Sequence, residues 1–158
     1  MIAAWALLGC TAGTELPTDT ATVAYRSTGL ERALRRAVND LREERGLAPL
    51  QAGSAIAAEA RAHSHDMAAG RAALGHAGFD DRVARIDDVL PVLSAGENVT
   101  YNIGFDDPIG EALRAWTESE THDANLRDAF THTGAGVVVD PAGGTWITQL
   151  FVTALQQD

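Results

Sequence analysis

The sequence contains no lysine; all 12 of its basic residues are arginine. No physical reason for that bias is evident. It contains a single cysteine, Cys10, so no disulfide can close within the chain. Its N-terminal apolar run, Met1 to Gly9, falls far short of the roughly 20 residues that a membrane span needs. That run also lacks the positive start of a secretory signal. A His-Glu-x-x-His pattern is absent, which argues against an ordinary zinc protease. Positive charge is in the minority: 22 acidic residues give a formal net charge of −10. A surface this acidic disfavours nucleic acid and anionic membrane faces as partners, and attracts cations.

What is present suits one folded domain. The chain has 158 residues, of which 46% are hydrophobic and 22% charged. That is enough apolar material for a proper core and too little length for two domains. Leu7-Leu8-Gly9-Cys10 resembles the lipobox that ends a bacterial lipoprotein signal peptide, whose cysteine is lipidated. A start site assigned too far downstream would account for the missing basic region. The expected organisation is therefore a signal remnant over 1–10, a Thr- and Ala-rich polar tether over 11–26 and a folded domain over 27–158. Such a protein is extracytoplasmic, either secreted or held at a membrane only through a lipid on Cys10.

Hydrophobic periodicity places helices first. Leu30, Leu34, Val38 and Leu41 share one helical face, with Thr28 and Glu31 as a capping box, Gly46 as the stop and Pro49 blocking a restart. A second helix runs from about Ser54 to Ala69, with Ile56, Ala60, His63 and Met67 inward and Gly70 as its cap. A helical turn is expected near Asp80 to Ile86 and an extended piece near Glu97 to Tyr101. Asp107-Pro108 opens a third helix whose inner stripe is Ile109, Leu113 and Trp116. A short turn or helix follows from Thr121 to about Arg127. Gly136 to Val139 and Thr145 to Val152 read as strands of a hairpin, joined by Asp140-Pro-Ala-Gly-Gly144. Helices first and strands last predict an α+β fold with helices on an antiparallel sheet.

His76, Glu97 and His122 each stand beside turn or cap residues, where polar groups can converge on a cleft. Two imidazoles and a carboxylate would suit a divalent cation such as Zn²⁺ or Mg²⁺. Their separation in the chain matches no metal-binding spacing, so loop residues that satisfy backbone groups remain the alternative.

The residues His76-Ala-Gly-Phe79, Arg82, Ala95-Gly-Glu-Asn-Val99 and Trp116-x-x-Ser119-x-x-His122-x-x-Asn125-Leu126 follow one another in order. Gly134-Ala-Gly136 and Trp146-Ile-Thr-Gln149-Leu-Phe151 come after them. Upstream lie Asn39, Arg45-Gly46-Leu47-x-Pro49-Leu50 and His63-Ser64-x-Asp66-Met67. This series, over about residues 30–153, resembles the bacterial branch of the CAP family, or SCP domain. That family contains the cysteine-rich secretory proteins, antigen 5 and the pathogenesis-related group 1 proteins. The resemblance implies a three-layer α-β-α sandwich with a central antiparallel sheet. It implies a cleft tetrad of two His and two Glu, in which His76, Glu97 and His122 match three members. The fourth position is Ser119, as is usual in the bacterial branch, which puts full metal binding in doubt. Nearby carboxylates would favour a bound cation and keep a cleft histidine protonated.

The remaining residues have plainer readings. His63 is a core or supporting histidine, His65 is exposed and His132 is structural. Asn98 and Asn125 bond to backbone turns. Trp116, Trp146 and Phe151 are core anchors. Gln149 is a candidate for lining the cleft. The Asn98-Val-Thr100 triplet matches the glycosylation pattern by chance. Three functions follow. The foremost is a binding module for a small ligand, a lipid or a cation. The second is a hydrolase, either metal-assisted through His76, His122 and Glu97, or using Ser119 as nucleophile with His122 on one helix face and Glu97 orienting it. The third is an envelope structural or interaction protein that makes no use of the cleft.

Overall fold

The computed structural model describes residues 20–155, with side chains from residue 27 onward. Cys10 and the lipobox lie outside the described residues. The elements run α1 (Thr20–Glu44), β1 (Gln51–Ala52), α2 (Ser54–Ala68), α3 (Phe79–Asp87), β2 (Val92–Asn102), α4 (Pro108–Thr117), α5 (Glu120–Arg127), β3 (His132–Val139) and β4 (Thr145–Ala154). The strands form one sheet in the order β1-β3-β4-β2. The pairs β3–β4 and β4–β2 are antiparallel, and the two-residue β1 adds to β3 in parallel.

Both faces of the sheet are covered, so β4 reads as an almost unbroken apolar and β-branched run rather than an alternating one. Its residues still alternate in space. Ile147 and Phe151 join Leu34, Val38, Ile109, Trp116 and Leu126 in a core beneath α1, α4 and α5. Leu150 and Val152 face the other way, into a core with Ile56 and Ala60 of α2 and Ile86 of α3. The sandwich thus has α1, α4 and α5 on one side and α2 and α3 on the other. The α-β-α architecture expected from the sequence is present.

Helix α2 sits directly on the backbone of β3. A Cβ at Gly134 or Gly136 would collide with main-chain atoms of Ala57 or of Ala60 and Arg61. Only glycine permits that approach. Ser64 completes the contact, its Oγ lying 2.9 Å from both Gly136 O, which accepts its proton, and Thr148 Oγ1.

The layers are also joined around the open side of β3. Glu31 of α1 accepts a two-pronged contact from Arg61 of α2 at 2.8 and 2.6 Å. This corrects the capping box read at Thr28 and Glu31: α1 begins at Thr20, and Glu31 is spent on a distant arginine instead. A local cap motif cannot be told from a tertiary ion pair by sequence spacing. Asp107 does cap α4, its side chain accepting from Gly110 N at 2.9 Å.

Candidate functional site

β2 ends the sheet, and four elements meet around its middle. Glu97 lies opposite Leu150 in the β2–β4 ladder and so faces the α2/α3 layer. Asn98 lies opposite Gln149 and faces the α1/α4/α5 layer. His76 comes from the loop before α3, Arg82 from α3 itself, and His122 from the first turns of α5.

Glu97 is the hub. His76 Nδ1 lies 2.9 Å from its Oε1. Arg82 grips both oxygens: Nη2 is 2.9 Å from Oε1 and 2.8 Å from Oε2, with Nε 3.0 Å from Oε2. Both partners are nearly inaccessible, with side-chain exposures of 5% for Arg82 and 2% for Glu97, whereas His76 is 52% exposed. A carboxylate can only accept, so His76 carries its proton on Nδ1. Nε2, on the opposite edge of the ring, has no hydrogen-bond partner among the described residues.

The loop bearing His76 is clamped along its length. His63 of α2 reaches Gly75 O through Nε2 at 2.8 Å. Arg82 Nη1 donates to Ala77 O at 2.8 Å, and Phe79 N donates to His76 O at 3.0 Å. Gly78, at φ 75°, supplies the left-handed turn into α3. His63 is therefore a supporting histidine, one step behind the cleft.

On the other side, asparagines dock α5 onto the strand. Asn98 Nδ2 donates to His122 O at 3.1 Å, and Asn125 Nδ2 donates to Asn98 Oδ1 at 2.9 Å and to Glu97 O at 3.2 Å. The His76 and His122 rings end with centroids 6.3 Å apart, tilted by 44°. Burial, then the neighbouring His76, pushes the His122 pKa below its ordinary value. The expectation that carboxylates would keep a cleft histidine charged fails at His122, where burial and then the neighbouring His76 act the other way.

The structure thus brings His76, Glu97 and His122 together, and leaves two other candidates apart. Ser119 caps α5 in an extended conformation (φ −102°, ψ 119°), so it does not share a helix face with His122. Among the described residues no hydrogen bond joins the two side chains. Gln149 is wholly buried on the far face, where its Nε2 donates to Thr133 Oγ1 at 2.9 Å and its Oε1 has no partner. It does not line the cleft.

Among the described residues no group of three His, Cys, Asp or Glu side chains is placed to hold a metal ion. With Glu97 engaged by Arg82 and His76, two imidazoles remain, one donor short of the three that a catalytic zinc site uses. Arg82 is the residue whose role sequence reasoning missed. It stood among the family-like residues, four before the buried Ile86 on α3, without an assigned task. Two surface concavities are bordered by residues other than His76, Glu97 and His122. One, of about 650 Å³, is bordered by Gly53, Ser54, Leu90 and His132. The other, of about 400 Å³, is bordered by Phe79, Val83, Leu93 and Ala95.

Residues 35–153 match the CAP family, described as the cysteine-rich secretory protein family. The chain belongs to the CAP family. Its fold is similar to that of an extracellular SCP-domain protein of Bacillus anthracis, with 25% identity and a TM-score of 0.73. The match covers 87% of this chain and 44% of that one, so the CAP chain spans less than half of that protein. An outer surface protein of Borrelia burgdorferi is similar in fold at 16% identity and a TM-score of 0.69, covering 80% of this chain and 94% of that one. A cysteine-rich secretory protein of Staphylococcus aureus is similar at 20% identity and a TM-score of 0.62, covering 81% and 40%. No curated protein matches. No helix among the described residues is long and apolar enough to cross a membrane.

Proposed function

We propose that this CAP domain is an extracytoplasmic binding module whose cleft takes a small polar ligand through the free edges of His76 and His122. The observation that carries the reading is the state of Glu97. Held by Arg82 on both oxygens and by His76 on one, it is neither an open metal ligand nor a free general base. A hydrolase needs one of those two, and among the described residues no hydrogen bond joins the Ser119 side chain to a base. Two imidazole edges suit hydrogen bonding to a ligand's hydroxyl or amide groups. The extracellular and outer-surface descriptions of the similar proteins support placement outside the cytoplasm. A lipid on Cys10 would hold the domain at the envelope.

The test pairs calorimetry of Zn²⁺ and Mg²⁺ with NMR titration of soluble cell-wall saccharides and a short-chain phosphatidylglycerol. Wild-type protein and a His76→Ala/His122→Ala double variant are compared. The reading expects no one-to-one metal binding, and imidazole shifts with one of the organic probes that the double variant lacks. One-to-one Zn²⁺ binding near micromolar that depends on the two histidines would overturn it in favour of a metal site.

A further inference from the structure

We propose that Arg82 is the resident cation of the cleft. It is a positioning residue that holds Glu97 and the His76 loop in one arrangement and occupies the carboxylate that a metal would otherwise need. This rests on the reading of the cleft as a metal-free binding site, and it can be tested without any ligand.

Three observations on different atoms converge on it. The guanidinium reaches Glu97 through Nε and Nη2 and the Ala77 carbonyl through Nη1, so one side chain binds the strand and the loop at once. The pair is buried on both sides, where a lone charge is costly and a bidentate partner fixes its geometry. The Glu97 carboxylate, oriented by Arg82, accepts from Nδ1–H and so, in the neutral ring, selects the Nδ1–H tautomer of His76. A planar fork is required for this. A lysine ammonium in the same place would keep the charge and lose the two-pronged grip.

Two measurements decide it. The first is ¹⁵N NMR of the histidine rings in the full chain, above the ordinary imidazole pKa of about 6.5. Wild-type His76 is expected in the Nδ1–H form. Arg82→Lys is expected to stay folded while the His76 proton becomes shared between both nitrogens. An Nε2–H ring in the wild type, or an Arg82→Lys spectrum identical to it, overturns the proposal. The second is Zn²⁺ calorimetry of Arg82→Gln, which frees Glu97. A one-to-one site absent from the wild type and abolished by His76→Ala supports the proposal, and unchanged Zn²⁺ binding in folded Arg82→Gln overturns it. If Arg82→Gln does not fold, the Arg82→Lys spectrum alone decides. Absence of any organic ligand would sink the binding-module reading while leaving the His76 ring form as evidence for Arg82.

Discussion

Arg82 and Glu97 form a buried two-pronged ion pair, with Nη2 2.8 Å from Oε2 and Nε 3.0 Å from the same oxygen. Removing one partner strands the other's charge away from water. Arg82→Met is expected to destabilise the domain by about 3–5 kcal/mol, and Arg82→Met/Glu97→Leu to recover much of that loss. Urea unfolding of the single and double variants measures both. A single variant as stable as wild type would show that the pair is solvated in solution.

The contact of α2 on β3 makes a second, sharper contrast. Gly136→Ala forces a Cβ into the α2 backbone and is expected to cost about 3 kcal/mol or more. Gly29, inside α1, has nothing within 4 Å of its would-be Cβ, so Gly29→Ala is expected to stabilise by about 0.5–1 kcal/mol. Thermal unfolding of the two variants should move in opposite directions.

Asn98 and Asn125 hold α5 against β2. Asn98→Ala removes the side-chain bond to the His122 carbonyl and one of the two bonds made by the Asn125 amide, which keeps Glu97 O, at an expected cost of about 1–3 kcal/mol. Its diagnostic effect is local: the His122 ring resonances should shift and broaden while those of His65, exposed in the last turn of α2, stay in place.

Asp140 gives a pH dependence that can be signed in advance. Burial pushes its pKa up, but the Trp146 indole and the Gly144, Ala142 and Gly143 amides outweigh this and hold it below the ordinary carboxylate value. A depressed folded-state pKa adds stability above the unfolded value of about 3.9. That stability disappears as pH falls through the folded value. Asp140→Asn should therefore be less stable than wild type at neutral pH, with the gap closing under strongly acidic conditions. A constant gap across pH would remove Asp140 ionisation as the cause.

Much of the fold was legible because its signals are local. The Leu34–Val38 stripe, the Asp107-Pro108 start and the Asp140–Gly144 turn each dictate conformation within a few residues. β2 was seen only in part: Glu97 to Tyr101 was expected, while the strand runs Val92–Asn102, because its first half alternates poorly around a register shift at Val92/Ser94. The site divided along the same line. His76, Glu97 and His122 were recognised through motif order. The Arg82 grip, the Asn98–Asn125 bridge and the burial of Gln149 depend on which face of a strand meets which helix. That is a tertiary fact with no local signature.

The two imidazoles are delivered by opposite helical layers and meet only around the end strand of the sheet. Neither half of the chain can assemble the pair alone, and loosening of either layer takes the pair apart. The pairing of the two histidines therefore depends on both layers being in place. A molecule that bridges His76 and His122 would act as a clasp across the sandwich. Its binding would slow separation of the layers and register as protection against unfolding of the whole domain, even with no activity to assay.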